Sequence, residues 1–115
     1  MTNFTPEYYL KKISQAALNG LTAFSYQQLT LSSSVQSLTV PEGSKYALII
    51  AESSIATTCA RYLEFKNVST AVAIGSGMPI SNGTVFDVTG VQNLVGFQII
   101  QEAAGTHKLN IQYYK

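Results

Sequence analysis

The chain is predicted to be all-β: a jelly-roll-like β-sandwich of about eight short antiparallel strands, preceded by one N-terminal α-helix. Three observations predict this. From Ala23 onward, β-branched and aromatic residues come in short runs. Gly, Pro and Asn separate those runs at the spacing expected of a sandwich or barrel. The length of 115 residues leaves room for one core and argues against a second. The only compositional boundary falls near Gly20, which divides the chain into an arm with an amphipathic helix (1–21) and a β-sandwich domain (22–115).

The helix start is explicit. Thr5 offers a hydroxyl to free amides, Pro6 presets φ, and Glu7 sits on the positive end of the helix dipole. Gly20 is the stop. Between them Tyr9, Ile13, Ala16 and Ala17 recur at helical spacing with Leu10 and Leu21 beside them, while Lys11, Lys12, Ser14 and Gln15 fall largely elsewhere. That stripe must pack on something: either the helix caps its own sheet, or it is an arm that docks on a neighbouring subunit.

Strands are expected at Ala23 to Leu31, Val35 to Val40, Tyr46 to Ala51, Thr57 to Phe65, Ala71 to Ile74, Thr84 to Val88, Leu94 to Gln101 and Lys108 to Tyr114, with no second helix. Pro41-Glu42-Gly43-Ser44 has Pro and Gly where a type II or related turn wants them. Ser81-Asn82-Gly83 offers positive φ at two positions, and Ala104-Gly105 joins the last two strands, which are expected to form an antiparallel hairpin. In the final strand Leu109, Ile111 and Tyr113 alternate with Lys108, Asn110, Gln112 and Tyr114, so one face is buried and the other wet or partner-facing. Val95, Phe97 and Ile99 oppose Leu94 and Ile100, a two-sided apolarity that marks a central or covered strand.

Composition narrows the function classes. Charged residues make up 11% of the chain, under half the usual share of about 25%, and Ser, Thr, Gln and Asn cover the surface instead. Seven Lys and Arg against six acids leave a net charge of +1 and no basic run, which argues against nucleic acid as a partner. So small a charge weakens the self-repulsion that keeps proteins monomeric and favours a homo-oligomer or a larger assembly. Cys59 stands alone, which excludes an internal disulfide and a multi-cysteine zinc site, and it is expected in the core. No signal peptide is expected, and no apolar run reaches the ~18 residues of a membrane span. The sequons at Asn3, Asn67 and Asn82 are then chance matches.

Candidates for chemistry are sparse. The single histidine, His107, falls after Gly105-Thr106 and is expected to be an exposed turn residue, which leaves no base for a Ser or Cys nucleophile. Six scattered acids show no ligand spacing, and Glu64 with Asp87 form no more than a chance carboxylate pair across strands. Gly75-Ser76-Gly77 lacks the Lys-Ser/Thr and the helix of a phosphate loop. No catalytic, cofactor-binding or metal-binding residue is therefore expected. Of the seven tyrosines, Tyr46, Tyr62 and Tyr113 are expected to fill or edge the core, while Tyr8, Tyr9, Tyr26 and Tyr114 suit an interface, because Tyr gives large contact area with a polar tip. The candidate interface comprises Tyr8, Tyr9, Ile13, Ala17, Tyr26, Gln112 and Tyr114.

From Thr39 to the end the order of pieces resembles a set of small tailed-bacteriophage virion proteins of the β-sandwich type. These pieces are Leu38-Thr39-Val40-Pro41-Glu42-Gly43, the strand Ala47-Leu48-Ile49-Ile50-Ala51-Glu52, Arg61, the loop Gly75-Ser76-Gly77-Met78-Pro79-Ile80 with Gly83, and the ending Leu109-Asn110-Ile111-Gln112-Tyr113-Tyr114. The chain departs from the family pattern at Lys66-Asn67-Val68-Ser69-Thr70, where acidic and Pro-Thr residues are usual. The resemblance implies a structural component of a virion assembled in the host cytoplasm, a capsid cement or decoration protein bound to the major capsid protein or other virion proteins, with no cofactor. A head–tail connector, a tail-fibre attachment protein and a small carbohydrate-binding module are the competing readings.

Overall fold

The computed structural model describes residues 20–65 and 72–115. The expected N-terminal helix, with Tyr8, Tyr9, Ile13 and Ala17, lies outside the described residues. The described chain is mostly β, in the order β1 (Ala23–Thr30), β2 (Gln36–Ser37), β3 (Tyr46–Ser53), β4 (Ala60–Leu63), β5 (Met78–Ile80), β6 (Val85–Thr89), α1 (Val91–Gly96), β7 (Gln98–Gln101) and β8 (His107–Tyr114). Two four-stranded antiparallel sheets result, ordered β1-β8-β3-β6 and β2-β7-β4-β5. Among the described residues no helix is long and apolar enough to cross a membrane.

Alternation sets the inner face of the first sheet. Ala47, Ile49 and Ala51 of β3 lie opposite Tyr113, Ile111 and Leu109 of β8, and all six are buried. Phe86 and Val88 extend the row on β6, opposite Ile49 and Ala47. The second sheet answers with Ala60, Ile80 and Ile99, which belong to the same hydrophobic cluster, so the two sheets share one core. At one end three rings stack: Tyr62 lies 4.5 Å from Phe86 and 5.4 Å from Phe97, with interplanar angles of 14° and 19°. Cys59 and Tyr113 are buried as expected, and Tyr62 edges the core.

Two turns follow the sequence reading closely. Ser44 N–H donates to Pro41 O across Gly43 at φ 89°, a type II arrangement. Thr84 N–H donates to Ser81 O with Gly83 at φ 85°. Only the glycine takes positive φ there, because Asn82 instead aims its side chain at β3 and accepts Ser53 N–H at 3.0 Å.

Other expectations need correction. The last two strands are not a hairpin: β7 lies between β2 and β4, and β8 between β1 and β3 in the other sheet. The segment that joins them crosses from one sheet to the other instead of turning back. A short helix, α1, which the sequence reading did not expect, occupies the start of the expected strand Leu94 to Gln101. Gly90 at φ 97° turns the chain, Leu94 N–H returns to Gly90 O, and a single helical turn buries Leu94 while Val91 and Val95 face outward. Two-sided apolarity therefore had two causes here, one turn of helix and then a central strand in which Gln98, Ile99 and Ile100 are all buried. The expected strands around Val35 to Val40 and Thr57 to Phe65 shrink to β2 and β4. Residues 73–76 form only an isolated bridge, and the strand comes later, at Met78–Ile80, where Pro79 is tolerated because β5 is an edge.

Polar side chains fasten the connections. Buried Gln98 donates from Nε2 to Phe65 O at 2.6 Å and accepts Val72 N–H at Oε1 at 2.9 Å. Arg61 Nε meets Glu102 Oε2 at 2.7 Å, Arg61 Nη1 donates to Gly77 O, and Glu102 Oε1 accepts Gly75 N–H at 2.8 Å. The Gly75-Ser76-Gly77 loop is thus held by an ion pair from the sheet.

Phe97→Ala should cost about 3–5 kcal/mol, since it empties a fully buried site and removes one of the three stacked rings. Gln112→Ala, exposed on the opposite face of the first sheet, should stay within about 0.5 kcal/mol of wild type. Chemical denaturation of both variants checks this placement of the core; a Phe97→Ala protein as stable as wild type would refute it.

Candidate functional site

The outer face of the first sheet carries the side chains that alternate with the core. Strand register lays them in rows. Tyr26 lies beside Gln112 and Gln112 beside Leu48; Gln28 lies beside Asn110 and Asn110 beside Ile50; Thr30, Lys108 and Glu52 form a third row. Hydrogen bonds tie the rows together. Tyr26 Oη donates to Asn110 Oδ1 at 2.7 Å, Gln28 Nε2 donates to the same oxygen at 3.0 Å, and Asn110 Nδ2 donates to Glu52 Oε1 at 2.6 Å. Tyr114 Oη donates to Gln112 Oε1 at 3.1 Å. The amides are therefore held in fixed orientations before any ligand arrives.

Tyr26 is the ridge of this face, 61% exposed. On one side lies a depression of roughly 210 Å³ lined by Leu48, Ile50, Asn110 and Gln112. Where β1 meets the segment of Thr39 and Pro41, a separate groove of roughly 450 Å³ is lined by Ser25, Tyr26, Gln27, Thr39, Pro41 and Tyr113. Of the sequence-derived interface residues, the structure brings Tyr26, Gln112 and Tyr114 onto this one face; Tyr8, Tyr9, Ile13 and Ala17 lie outside the described residues. Sequence reasoning placed Asn110 on the wet or partner-facing side of the last strand but missed Leu48, Ile50, Gln28 and Glu52. The signal was present in β3, whose residues are apolar at both parities from Ala47 to Ala51.

Tyr46 shares the outward parity of Leu48 and Ile50 yet is fully buried, edge-on to Tyr114 with ring centroids 5.5 Å apart. Among the described residues its hydroxyl has no hydrogen-bond partner. Burial, and after it the nearby Asp87 carboxylate, push its ionisation well above the ordinary value of 10.0. Burial likewise pushes the Tyr113 phenol up to about 12, and Tyr113 Oη donates to Gln27 Oε1 at 2.7 Å.

A second constellation corrects the expectation for His107. This residue is not an exposed turn histidine: it opens β8 and is 1% exposed. Its Nδ1 lies 2.8 Å from Ser53 Oγ and its Nε2 lies 2.7 Å from Ala103 O. A carbonyl only accepts, so in the neutral ring Nε2 carries the proton and Nδ1 accepts from the Ser53 hydroxyl. A serine–imidazole pair thus exists, beside a depression of roughly 260 Å³ lined by Glu52, Ser53, Ser54, Asn82, Thr106 and Lys108. Its surroundings suit a fastener. Ser53 N–H is spent on Asn82 Oδ1, Ser54 N–H on Thr106 O, Ile55 N–H on Ser53 Oγ and Thr106 N–H on Ser54 Oγ. None of these four backbone donors remains to meet a developing oxyanion, the group on which acyl transfer most depends. Gly105 at φ 141° permits the packing, because a Cβ there would stand 2.8 Å from Ser54 Oγ and 2.9 Å from His107 Cε1.

The remaining groups are dispersed. Burial raises the Cys59 thiol. Burial and then the Asp87 charge raise the Glu64 carboxyl, which lines a separate groove with Phe65, Gln92, Asn93, Val95 and Gly96. Among the described residues no group of three or more His, Cys, Asp or Glu could hold a metal ion. No protein-family model, curated protein or solved structure matches this chain.

Two predictions arise. A phenol kept neutral in the folded state holds its proton above pH 10 while the unfolded chain loses it, so stability should be intact below that pH and fall as pH rises towards 12. Tyr46→Phe removes an unbonded buried hydroxyl, so it should leave stability at neutral pH unchanged or raise it by up to about 1 kcal/mol, and make the alkaline fall shallower. Urea denaturation at neutral and alkaline pH reads both. His107→Ala should lower stability by about 2–4 kcal/mol, since it leaves a cavity and strands the Ser53 hydroxyl and the Ala103 carbonyl; a thermal melt unchanged from wild type would show the pair to be idle.

Proposed function

We propose that this chain is a non-enzymatic jelly-roll protein of a tailed-phage particle, a capsid cement or decoration protein that binds and stabilises the major capsid shell. The strand order is the observation that carries the reading. The pairs β1·β8, β2·β7, β3·β6 and β4·β5 are those of one long antiparallel ribbon, and they fall alternately into the two sheets. Rolling such a ribbon gives the double Greek key of a jelly roll, an architecture used by viral capsid and lectin domains. Fold does not by itself imply function. The step from fold to particle rests on analogy of architecture, together with the resemblance of the segments from Leu38 to Tyr114 to phage virion proteins.

The outer face of the first sheet supports the docking part of the reading. It offers one exposed ring, two aliphatic side chains and pre-oriented amides, and such faces gain affinity from buried aromatic and aliphatic anchors rather than salt bridges. The Ser53–His107 pair supports a non-enzymatic role, since its donors are spent within the fold. A carbohydrate-binding module is the second reading, favoured by Asn110, Gln112 and Glu52 beside the Tyr26 ring. Against it, those amides already bond one another, and Tyr26 stands as a single exposed ring instead of a coplanar set.

Cryo-electron microscopy of purified particles tests the assignment: density for this chain at regular sites on the shell is the expected result. Density at a single vertex would favour the connector reading, and absence from the particle would refute the proposal. In a particle-binding assay, Tyr26→Ala should weaken binding at least about tenfold with an unchanged melting temperature, because the ring is exposed and, among the described residues, its hydroxyl bonds Asn110 alone. Normal particle binding by Tyr26→Ala combined with lost glycan binding would transfer the face to the carbohydrate reading.

A further inference from the structure

We infer that the edge of β1 that no described strand pairs is a self-association site, at which a second copy of this chain adds its own β1 in antiparallel register to make one continuous eight-stranded sheet. The inference does not depend on the phage assignment. It starts from hydrogen-bond accounting. Leu31 N–H donates to His107 O, and opposed residues in an antiparallel pair alternate between bonded and non-bonded positions. Leu29, Gln27 and Ser25 therefore spend their main-chain groups on β8, whereas Tyr26, Gln28 and Thr30 turn theirs to the open edge. Gln36 Nε2 takes Thr30 O at 3.0 Å. No described residue bonds the N–H and C=O of Tyr26 and Gln28, or the N–H of Thr30.

The other sheet edges are short and β1 is long. Strands β2, β5 and β6 hold 2, 3 and 5 residues, but β1 holds 8. Short edge strands, Lys and Pro are the usual means of preventing edge-to-edge pairing. The β1 sequence Ala-Phe-Ser-Tyr-Gln-Gln-Leu-Thr has no charged residue and no proline. A bulge between Ala23 and Ser25 disturbs the first turn of the ladder, which confines regular pairing to the stretch from Tyr26 onward.

A second copy is the occupant the geometry selects. A strand paired with itself about a two-fold axis is self-complementary, as an isologous interface requires. With the axis at Gln27, Tyr26 of one copy lies opposite Gln28 of the partner subunit. The unbonded N–H and C=O groups of these two residues then satisfy one another on both sides of the axis. The Tyr26 rings meet the Gln28 side chains on the outer face. No charge opposes the approach, because neither edge carries one and the chain has a net charge of only +1.

Sedimentation velocity on the full chain, from low micromolar to submillimolar concentration, is the test. Wild type should form a dimer. Gln28→Pro removes an N–H that faces the open edge, so the bond to β8 is untouched, and it should raise the dimer dissociation constant at least about tenfold. Tyr26→Lys, an exposed substitution that sets a charge on each side of the axis, should do the same. Gln112→Lys, on the sheet face one strand in, should remain dimeric. Circular dichroism establishes that each variant is folded, and Tyr26→Lys decides alone if Gln28→Pro is not. A monomeric wild type overturns the inference. So does a dimer that survives both edge variants, or one that only Gln112→Lys dissociates, which would place the contact on the face of the sheet.

Discussion

The pairing of β3 with β8 is the interaction on which the rest of the structure depends. All eight residues of each strand are in register, from Tyr46 opposite Tyr114 to Ser53 opposite His107. Neither strand can be placed without the other, because each lies in the interior of the first sheet and each presents three buried residues to the core. The parity of that register fixes two surfaces at once. Ala47, Ile49 and Ala51 face the second sheet, and Leu48, Ile50 and Glu52 therefore join Tyr26, Asn110 and Gln112 outside. A slip by one residue would exchange the two sets, burying amides and exposing the core, so core and outer face are specified by the same choice. The pairing also joins parts of the chain far apart in sequence, and loop closure over such distances must be met before its contacts reward it.

What was legible in the sequence follows from this. Strands that carry a core on one face announce themselves by alternation, and β8 was readable down to which face is wet. The turns at Pro41 to Ser44 and Ser81 to Thr84 were readable because Gly43 and Gly83 satisfy a backbone requirement that few other residues can. Topology was not. The short segment with Ala104-Gly105 looks like a hairpin loop, and nothing local distinguishes a turn within one sheet from a passage between two. Periodicity also failed in the segment from Val91 to Ile100, where a single helical turn and a central strand are both apolar and adjoin at Phe97. The outer face was legible only in part. Tyr26 and Gln112 stood out by residue type, whereas Leu48 and Ile50 were hidden inside a run whose other half is core.

His107 and Gln98 explain a different kind of miss. Each looks like an ordinary polar residue in sequence, and each is buried because both of its polar ends find partners: Ser53 and Ala103 for the imidazole, Phe65 and Val72 for the amide. Satisfied in this way, a buried polar group is tolerated, and it specifies a geometry that an apolar side chain could not. The same satisfaction limits chemistry at Ser53. The four backbone donors nearest Ser53 are committed to Asn82, Thr106, Ser53 and Ser54 in the ground state, so none of them is held in reserve for charge that develops in a transition state.

The scarcity of charge and the shape of the surface point in one direction. A protein that avoids association keeps a net charge away from zero, short edges and polar faces. Among the described residues the sheet edges are short except at β1, which carries the most exposed aromatic ring, that of Tyr26. The hydroxyl of that ring is anchored to Asn110, which fixes the ring in space and lowers the entropy lost when a partner covers it. The outer face is thus arranged for contact before contact occurs. Because Tyr26 borders both the free edge and the depression over Leu48 and Ile50, pairing along the edge would extend the face rather than consume it. If copies pair through β1 as proposed, the two surfaces act together, one joining the copies and the other presenting a doubled face.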